Sequence, residues 1–381
     1  MSVLLAPRPA AKAADPIRVM VVDDSVVMRG LVGRWLANEP DLEVVASLHN
    51  GRQAVDQIES VNPDVVILDI EMPELDGLAA LPLLLAKRRD LVVIMASSLT
   101  RRHAEVSLRA LALGATDYVP KPEQSRGIST SPEFRRELID KLRALGERRK
   151  RRAASIARVE AARATPRTAA DDAATTPSWQ LRCQQVRPPR ALLIGASTGG
   201  PQALTKLIAQ LGRVVERAPV LIVQHMPATF TTILAEHLGR AAGRPVREPE
   251  DGEPVLPGVI HLAPGGRHML VERREGRPVI RLHDGDPVNF CRPALDPLFL
   301  SAIPVWQGAL LAVILTGMGH DGTDGARAIA AAGGGVIAQD EATSVVWGMP
   351  GSAAQAGVCS AVLPLGEIAP RIIRAFAGEQ P

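Results

Sequence analysis

Short β-rich runs alternate with helical patterns twice along this chain, which confines it to parallel sheets flanked by helices. In the first block the runs are Arg18–Val22, Glu43–Ser47, Val65–Asp69, Leu91–Ala96 and Asp117–Val119. Ser25–Ala37, Gly51–Ser60, Gly77–Ala86 and Arg102–Leu113 carry apolar residues at helical spacing between them, and Pro132–Gly146 predicts a further helix. Five strands and five helices fit a flavodoxin-like, doubly wound domain over residues 16–140. The second block has runs at Ala191–Ile194, Val220–Val223, Val259–Leu262, Leu310–Leu315 and Gly335–Ala338, with helices after most of them. His268–Glu275 and Arg277–His283 read as a hairpin around Glu275-Gly276. This predicts a second doubly wound, mostly parallel α/β domain with a small antiparallel hairpin over residues 190–377, its site at the carboxyl ends of the strands. Residues 147–189, rich in Ala, Arg, Thr and Pro, read as a linker, and 381 residues are enough for two domains.

Composition narrows the function. The chain carries 44 Lys and Arg against 41 Asp and Glu, a net charge of +3, so no bulk attraction to nucleic acid or membrane is expected. Aromatics at 3% are too few for base-stacking platforms. Arg148–Arg152 is a basic run that would either touch an anionic surface or lie solvated at a helix end. The apolar stretch Leu78–Ala86 falls short of the ~18–20 residues a membrane span needs, and Met1–Ala14 lacks a secretory pattern. No membrane insertion and a cytoplasmic location are expected. Cys183, Cys291 and Cys359 have no paired spacing for a metal or a disulfide framework and read as buried thiols.

In the first domain Asp23 and Asp24 follow the first strand and Asp69 ends the third. Parallel strands bring these ends to one edge, where three carboxylates need a cation, and an all-oxygen ligand set suits Mg²⁺. Ser97 and Lys121 follow the fourth and fifth strands, adding a hydroxyl and an ammonium. A carboxylate there could receive a phosphoryl group; strand-end caps and surface charges are the plainer alternative. The motifs VVDDS at 21–25, LDIEMPELDG at 68–77, ASS at 96–98 and YVPKP at 118–122 resemble the receiver domain of bacterial two-component response regulators. The resemblance implies Asp69 as phosphoacceptor and Asp23, Asp24 and Asp69 with the Glu71 main-chain carbonyl around Mg²⁺. It further implies Ser97 and Lys121 on the phosphoryl group and Tyr118 as switch aromatic.

In the second domain Ala191–Ile194 runs into Gly195-Ala196-Ser197-Thr198-Gly199-Gly200. G-x-S-x-G between strand and helix has the form of a nucleophile elbow; the same backbone could equally make an anion-binding loop. A nucleophilic Ser needs a base, and the base an orienting acid. His225 follows the strand Val220–Val223, with His268 and His320 as rivals, and Asp321 follows Leu310–Leu315. The order Ser, His, Asp differs from that of α/β-hydrolases. Gly317–Gly322 also spells G-x-G-x-x-G, with Asp340 ending the next strand, so a dinucleotide-binding enzyme is a competing reading; few residues remain after Asp340 for a second nucleotide-binding half.

The stretches GASTGG at 195–200, QHMP at 224–227, APGGRHM at 263–269, TGMGHDG at 316–322 and QDEATSVVWGMP at 339–350 resemble the chemotaxis protein-glutamate methylesterase family, which also carries a receiver in front. The resemblance implies a Rossmann-like catalytic domain that uses no nucleotide, and a triad of Ser197, His225 and Asp321 with Thr198 and Met318 N–H groups on the oxyanion. It implies a hydrolase that removes methyl groups from glutamyl esters of methyl-accepting chemotaxis receptors and deamidates receptor glutamines. A chemotaxis histidine kinase would be its phosphodonor, with Mg²⁺ for phosphorylation and no cofactor for ester hydrolysis. Ala294, Pro297 and Gly351-Ser352 depart from the family's usual residues, which bears on substrate preference. The competing class is a DNA-binding response regulator, but nothing after Ala191 resembles a helix-turn-helix, and no nucleic-acid partner is expected.

Overall fold

A computed structural model of the chain describes residues 15–121, 132–164, 181–182 and 188–378, without the side chains of 156–164. The first domain is a parallel sheet of β1 (Ile17–Val22), β2 (Leu42–Leu48), β3 (Val65–Asp69), β4 (Val92–Ser97) and β5 (Asp117–Pro120), in the order β2-β1-β3-β4-β5. The central strand β3 is buried throughout, as a strand covered on both faces must be. Its helices start at side-chain caps. Ser25 accepts from Met28 N–H ahead of α1 (Val26–Leu36), and Asn50 from Gln53 N–H ahead of α2 (Gly51–Val61). Asp76 and Thr100 cap α3 (Gly77–Lys87) and α4 (Arg101–Ala112) in the same way.

The helix expected over Pro132–Gly146 is longer. It forms α5 (Pro132–Ala164), so the first part of the stretch read as linker is helical. Glu, Arg, Lys and Ala after Gly146 are good helix formers, and the basic run adds anchors. Arg149 pairs with Asp64 and, at 2.8 Å, with Asp90, while Lys150 donates to the Pro16 carbonyl at 2.8 Å. These two members of the run therefore hold the helix to its own domain. Residues 165–180 and 183–187, with Cys183, lie outside the described residues.

The second domain is a seven-stranded parallel sheet in the order β14-β13-β12-β6-β7-β9-β8. Its strands are β6 (Ala191–Ala196), β7 (Val220–Gln224), β8 (Val246–Arg247), β9 (Ile260–Leu262), β12 (Leu310–Ile314), β13 (Gly335–Gln339) and β14 (Ala361–Leu363). Reading by pattern did not anticipate the short edge strands β8 and β14. The hairpin β10 (His268–Arg274) and β11 (Arg277–His283) is antiparallel, turning at Glu275 and Gly276, both at positive φ. Helices α6 (Gly200–Ile208), α7 (Gly212–Val215), α8 (Ala228–Ala242), α9 (Leu295–Trp306), α10 (Thr323–Ala331), α11 (Met349–Gln355) and α12 (Leu365–Ala377) accompany the strands. Among the described residues no helix is long and apolar enough to cross a membrane.

The two domains share a seam. Tyr118 of β5 stacks on Phe230 of α8 with ring centroids 4.5 Å apart and planes 11° apart, a pair worth about 0.5–1.5 kcal/mol beyond its buried area. Gln202 of α6 donates to the Ala115 carbonyl at 2.9 Å, and Arg101 of α4 meets Glu236 of α8 at 2.7 Å. The Arg101 pair is exposed and contributes little.

Candidate active site and phosphorylation site

Strand β6 is the point where the order of the second sheet reverses: the chain continues to β7 on one side, and β12 lies on the other. Such a switch point opens a crevice at the carboxyl ends. Ser197 follows β6, His225 follows β7, and Thr316–Asp321 follow β12. Backbone bonds extend the ladder past the strands: Ser197 N–H donates to Thr316 O at 3.0 Å, and His225 N–H to Ala196 O at 3.1 Å. Buried Gln224 donates from Nε2 to Ser197 O at 2.9 Å and to His225 O at 3.2 Å, fixing both loops together. Thr316 Oγ1 donates to Thr198 O at 2.9 Å. Gly317 lies so close that a Cβ there would stand 2.9 Å from Ser197 Cβ and 2.4 Å from Met349 Sδ.

His225 and Asp321 meet at 2.7 Å, Nε2 to Oδ2. Asp321 is 2% exposed and richly bonded. It accepts from Leu295 N–H at 2.6 Å, Asp296 N–H at 3.2 Å and Asn289 Nδ2 at 3.2 Å. The N-cap residue Ala294 makes no side-chain bond, so the Asp321 carboxylate serves the start of α9 instead. The Ala294 N–H goes to His268 Nδ1 at 3.2 Å. Burial alone would raise Asp321, but His225 and the two backbone donors hold its pKa down at about 2. For His225 burial opposes the charge, yet the Cys291 sulfur and the Asp321 carboxylate hold its pKa up at about 10.

The other ring nitrogen of His225 faces Cys291, Nδ1 to Sγ at 3.4 Å. Among the described residues Ser197 Oγ makes no hydrogen bond to His225. The reading of Cys291 as a buried thiol is corrected: it is half-buried and borders the imidazole, while Cys359 is buried as expected. The rival His268 spends its ring nitrogens on Asp286 O and Ala294 N–H, and His320 is exposed. Asp340, which a dinucleotide reading needs for a ribose, accepts instead from Thr343 N–H and Oγ1 at 3.0 and 2.5 Å. Pattern reading passed over Asn289 and Asp296, both bonded around Asp321; they sit in or beside a loop without periodicity.

At the edge of the first sheet, oxygens of Asp23, Asp24 and Asp69 all lie within 4.8 Å of one another. Lys121 Nζ stands 2.6 Å from Asp23 and 2.7 Å from Asp69. Burial pushes Asp69 up to about 6; Lys121 works against that shift and the Asp23 charge adds to it. Three carboxylates in one pocket are a donor set that fits a hard divalent cation. Ser97 is buried beside them, its hydroxyl 3.3 Å from the carbonyls of Ser98 and His103. Glu71 is exposed and pairs through its side chain with His103 at 2.9 Å. Tyr118 is buried, covered by Phe230.

Residues 192–372 match the CheB methylesterase family and residues 19–131 the response regulator receiver domain. A protein-glutamate methylesterase/protein-glutamine glutaminase of Rhodopseudomonas palustris (strain HaA2) is 59% identical over 389 residues, covering 100% of both chains. Another with that name from Nitrobacter hamburgensis is 61% identical, covering 96% of this chain and 95% of its own. With the receiver pocket, the paired His225 and Asp321 and this full-length similarity together, the chain belongs to the protein-glutamate methylesterase/protein-glutamine glutaminase family, a receiver joined to a CheB methylesterase domain.

Proposed function

We propose that Ser197, His225 and Asp321 hydrolyse γ-methyl esters of glutamyl side chains on methyl-accepting chemotaxis receptors, in the cytoplasm and under control of the receiver. The observation that carries this reading is the 2.7 Å pair of His225 and Asp321 on strands flanking the Ser197 elbow. Ser197 Oγ attacks the ester carbonyl carbon and its proton passes to His225 Nδ1. In the resting arrangement Cys291 borders that nitrogen, so the serine hydroxyl takes the place of the thiol when substrate enters. The oxyanion lies toward the N–H groups of Thr198 and Met318, which no hydrogen bond among the described residues occupies. Collapse expels methanol with the proton from His225, and water then cleaves the acyl-enzyme to the glutamate carboxylate. A glutamine amide reaches the same acyl-enzyme by losing ammonia, and these steps call on no cofactor. Methanol release from methylated receptor membranes by the intact chain tests the reading.

His225 must be neutral to accept the serine proton, and its pKa is raised. Activity is therefore expected to climb with pH as the imidazolium loses its proton. Cys291→Ala removes a neighbour that raises this pKa, so the acid limb of the kcat/KM profile moves to lower pH. A limb that stays in place refutes the role given to Cys291.

In the receiver, Asp69 accepts the phosphoryl group from a chemotaxis histidine kinase. Asp23, Asp24 and Asp69 with the Glu71 carbonyl would hold Mg²⁺, whose charge offsets that of the carboxylates and the phosphoryl group. Ser97 and Lys121 contact the phosphoryl oxygens. Tyr118 transmits the change, since it already lies in the seam against Phe230. The seam borders the elbow, because Gln202 sits on the helix that begins after Ser197 and Val345 and Val346 pack against the receiver cluster that includes Phe134. The unphosphorylated receiver therefore restricts access. A fragment beginning near Arg187 is expected to hydrolyse a small soluble ester faster than the unphosphorylated chain, with phosphorylation bringing the chain toward the fragment's rate. Equal rates for fragment and unphosphorylated chain mean that the receiver only localises the enzyme.

A further inference from the structure

Val288–Cys291 forms a tight turn beside the catalytic pair. Val288 N–H donates to Cys291 O at 3.0 Å and Cys291 N–H to Val288 O at 2.9 Å. The two corner residues, Asn289 at φ 51° and Phe290 at φ 64°, are both left-handed. Asn adopts this region readily, but a bulky aromatic residue there is strained, and strain of this kind gathers at functional sites. The turn nonetheless presents the Phe290 ring outward, 79% exposed, the highest among the exposed large hydrophobic residues described. Its neighbours point the other way: Asn289 Nδ2 reaches Asp321 at 3.2 Å and Cys291 Sγ reaches His225 at 3.4 Å. The ring consequently points away from His225 and Asp321, on a turn whose flanking residues touch the base and its acid.

Among the described residues the ring has one cationic partner, and it comes from the receiver. The Arg136 guanidinium of α5 lies 3.7 Å over the ring centroid, a cation–π contact. Burial does not explain an exposed aromatic held in a strained turn, whereas a large rigid aromatic side chain that a partner can cover is a common anchor in polypeptide recognition. We propose that Phe290 is a substrate-docking residue: an apolar side chain of the ester-bearing polypeptide covers its ring in the active state, on the face that Arg136 covers in the resting chain. The inference rests on the reading of this site as an esterase for polypeptide side chains. Two occupants of one ring face exclude each other, so Arg136 competes with substrate, and a small ester is too short to use the ring.

The test uses the full-length chain on methylated receptor membranes and on a small soluble γ-methyl glutamyl ester. In chains phosphorylated with acetyl phosphate, Phe290→Ala is expected to lower kcat/KM on the receptor about tenfold, the size of a lost aromatic anchor, through KM rather than kcat. Phe290→Tyr restores it. In unphosphorylated chains Arg136→Ala is expected to raise kcat/KM on the receptor, because it frees the ring face for substrate. An equal loss of kcat/KM on receptor and small ester shows that the turn only supports His225 and Asp321, and overturns docking. No change on the receptor overturns it too, and wild-type kcat/KM on the receptor for the unphosphorylated Arg136→Ala chain overturns the competition. Wild-type chain that releases no methanol from the receptor while hydrolysing the small ester overturns the underlying polypeptide reading instead.

Discussion

Ser197→Ala is expected to abolish methanol release from methylated receptor, a loss of about a thousandfold or more, while leaving the fold intact. His225→Ala is expected to match it, because in the proposed mechanism nucleophile and base act as one unit and removing either removes the proton path. The smaller consequence belongs to Asp321→Asn. That variant keeps the shape of a side chain bonded to α9 and Asn289, but loses the charge that supports the imidazolium at 2.7 Å. Its activity should lie between wild type and the other two. Circular dichroism and a urea titration establish folding for each variant, and methanol is quantified directly. Substantial release by the Ser197→Ala variant sinks the serine mechanism, and full activity of the His225→Ala variant moves the base to another group.

Asp69→Asn is expected to eliminate labelling by acetyl phosphate or a cognate kinase, and EDTA should eliminate it in the wild-type chain. The pocket explains both. Asp69 shares it with Asp23 and Asp24, and burial with the Asp23 charge holds its carboxyl up at about 6 despite Lys121. A raised carboxylate pKa means that the charged form is the disfavoured one, present above about 6 and lost as pH falls through it. A divalent cation reverses this preference. Labelling should depend on Mg²⁺ because three carboxylates share the pocket with the incoming phosphoryl charge, and without the cation the pocket should take up a proton as pH falls through about 6. Equal labelling of the Asp69→Asn variant and the wild type would show that another residue accepts the phosphoryl group.

The alternation of β-rich and helical runs was enough to locate both parallel sheets, since apolar runs with period 2 or 3.6 are local properties. The caps Ser25, Asn50, Asp76 and Thr100 begin helices close to where the pattern began them. Helix α5 and the strands β8 and β14 departed from that reading. Helix α5 runs on to Ala164 through good helix formers, where ion pairs of Arg149 with Asp64 and Asp90 tie it to the receiver. The edge strands β8 and β14 are too short to carry a period.

Ser197, His225, Asp321 and the receiver carboxylates were singled out as candidates because each ends or follows a strand, and parallel strands deliver such residues to one edge whatever the details. Which groups actually touch was decided by tertiary packing alone. The sheet order β12-β6-β7 sets His225 against Asp321, and no sequence spacing encodes the order of strands. The start of α9 brings two backbone N–H groups to Asp321, and the turn at Val288–Cys291 brings Cys291 to His225 and Asn289 to Asp321. Contact of Tyr118 with Phe230 and of Arg136 with Phe290 likewise depends on how two separately patterned domains meet. Local patterns specify strands, helices and the edge at which chemistry collects; contacts between residues distant in sequence depend on how the whole chain packs, and only the folded molecule displays them.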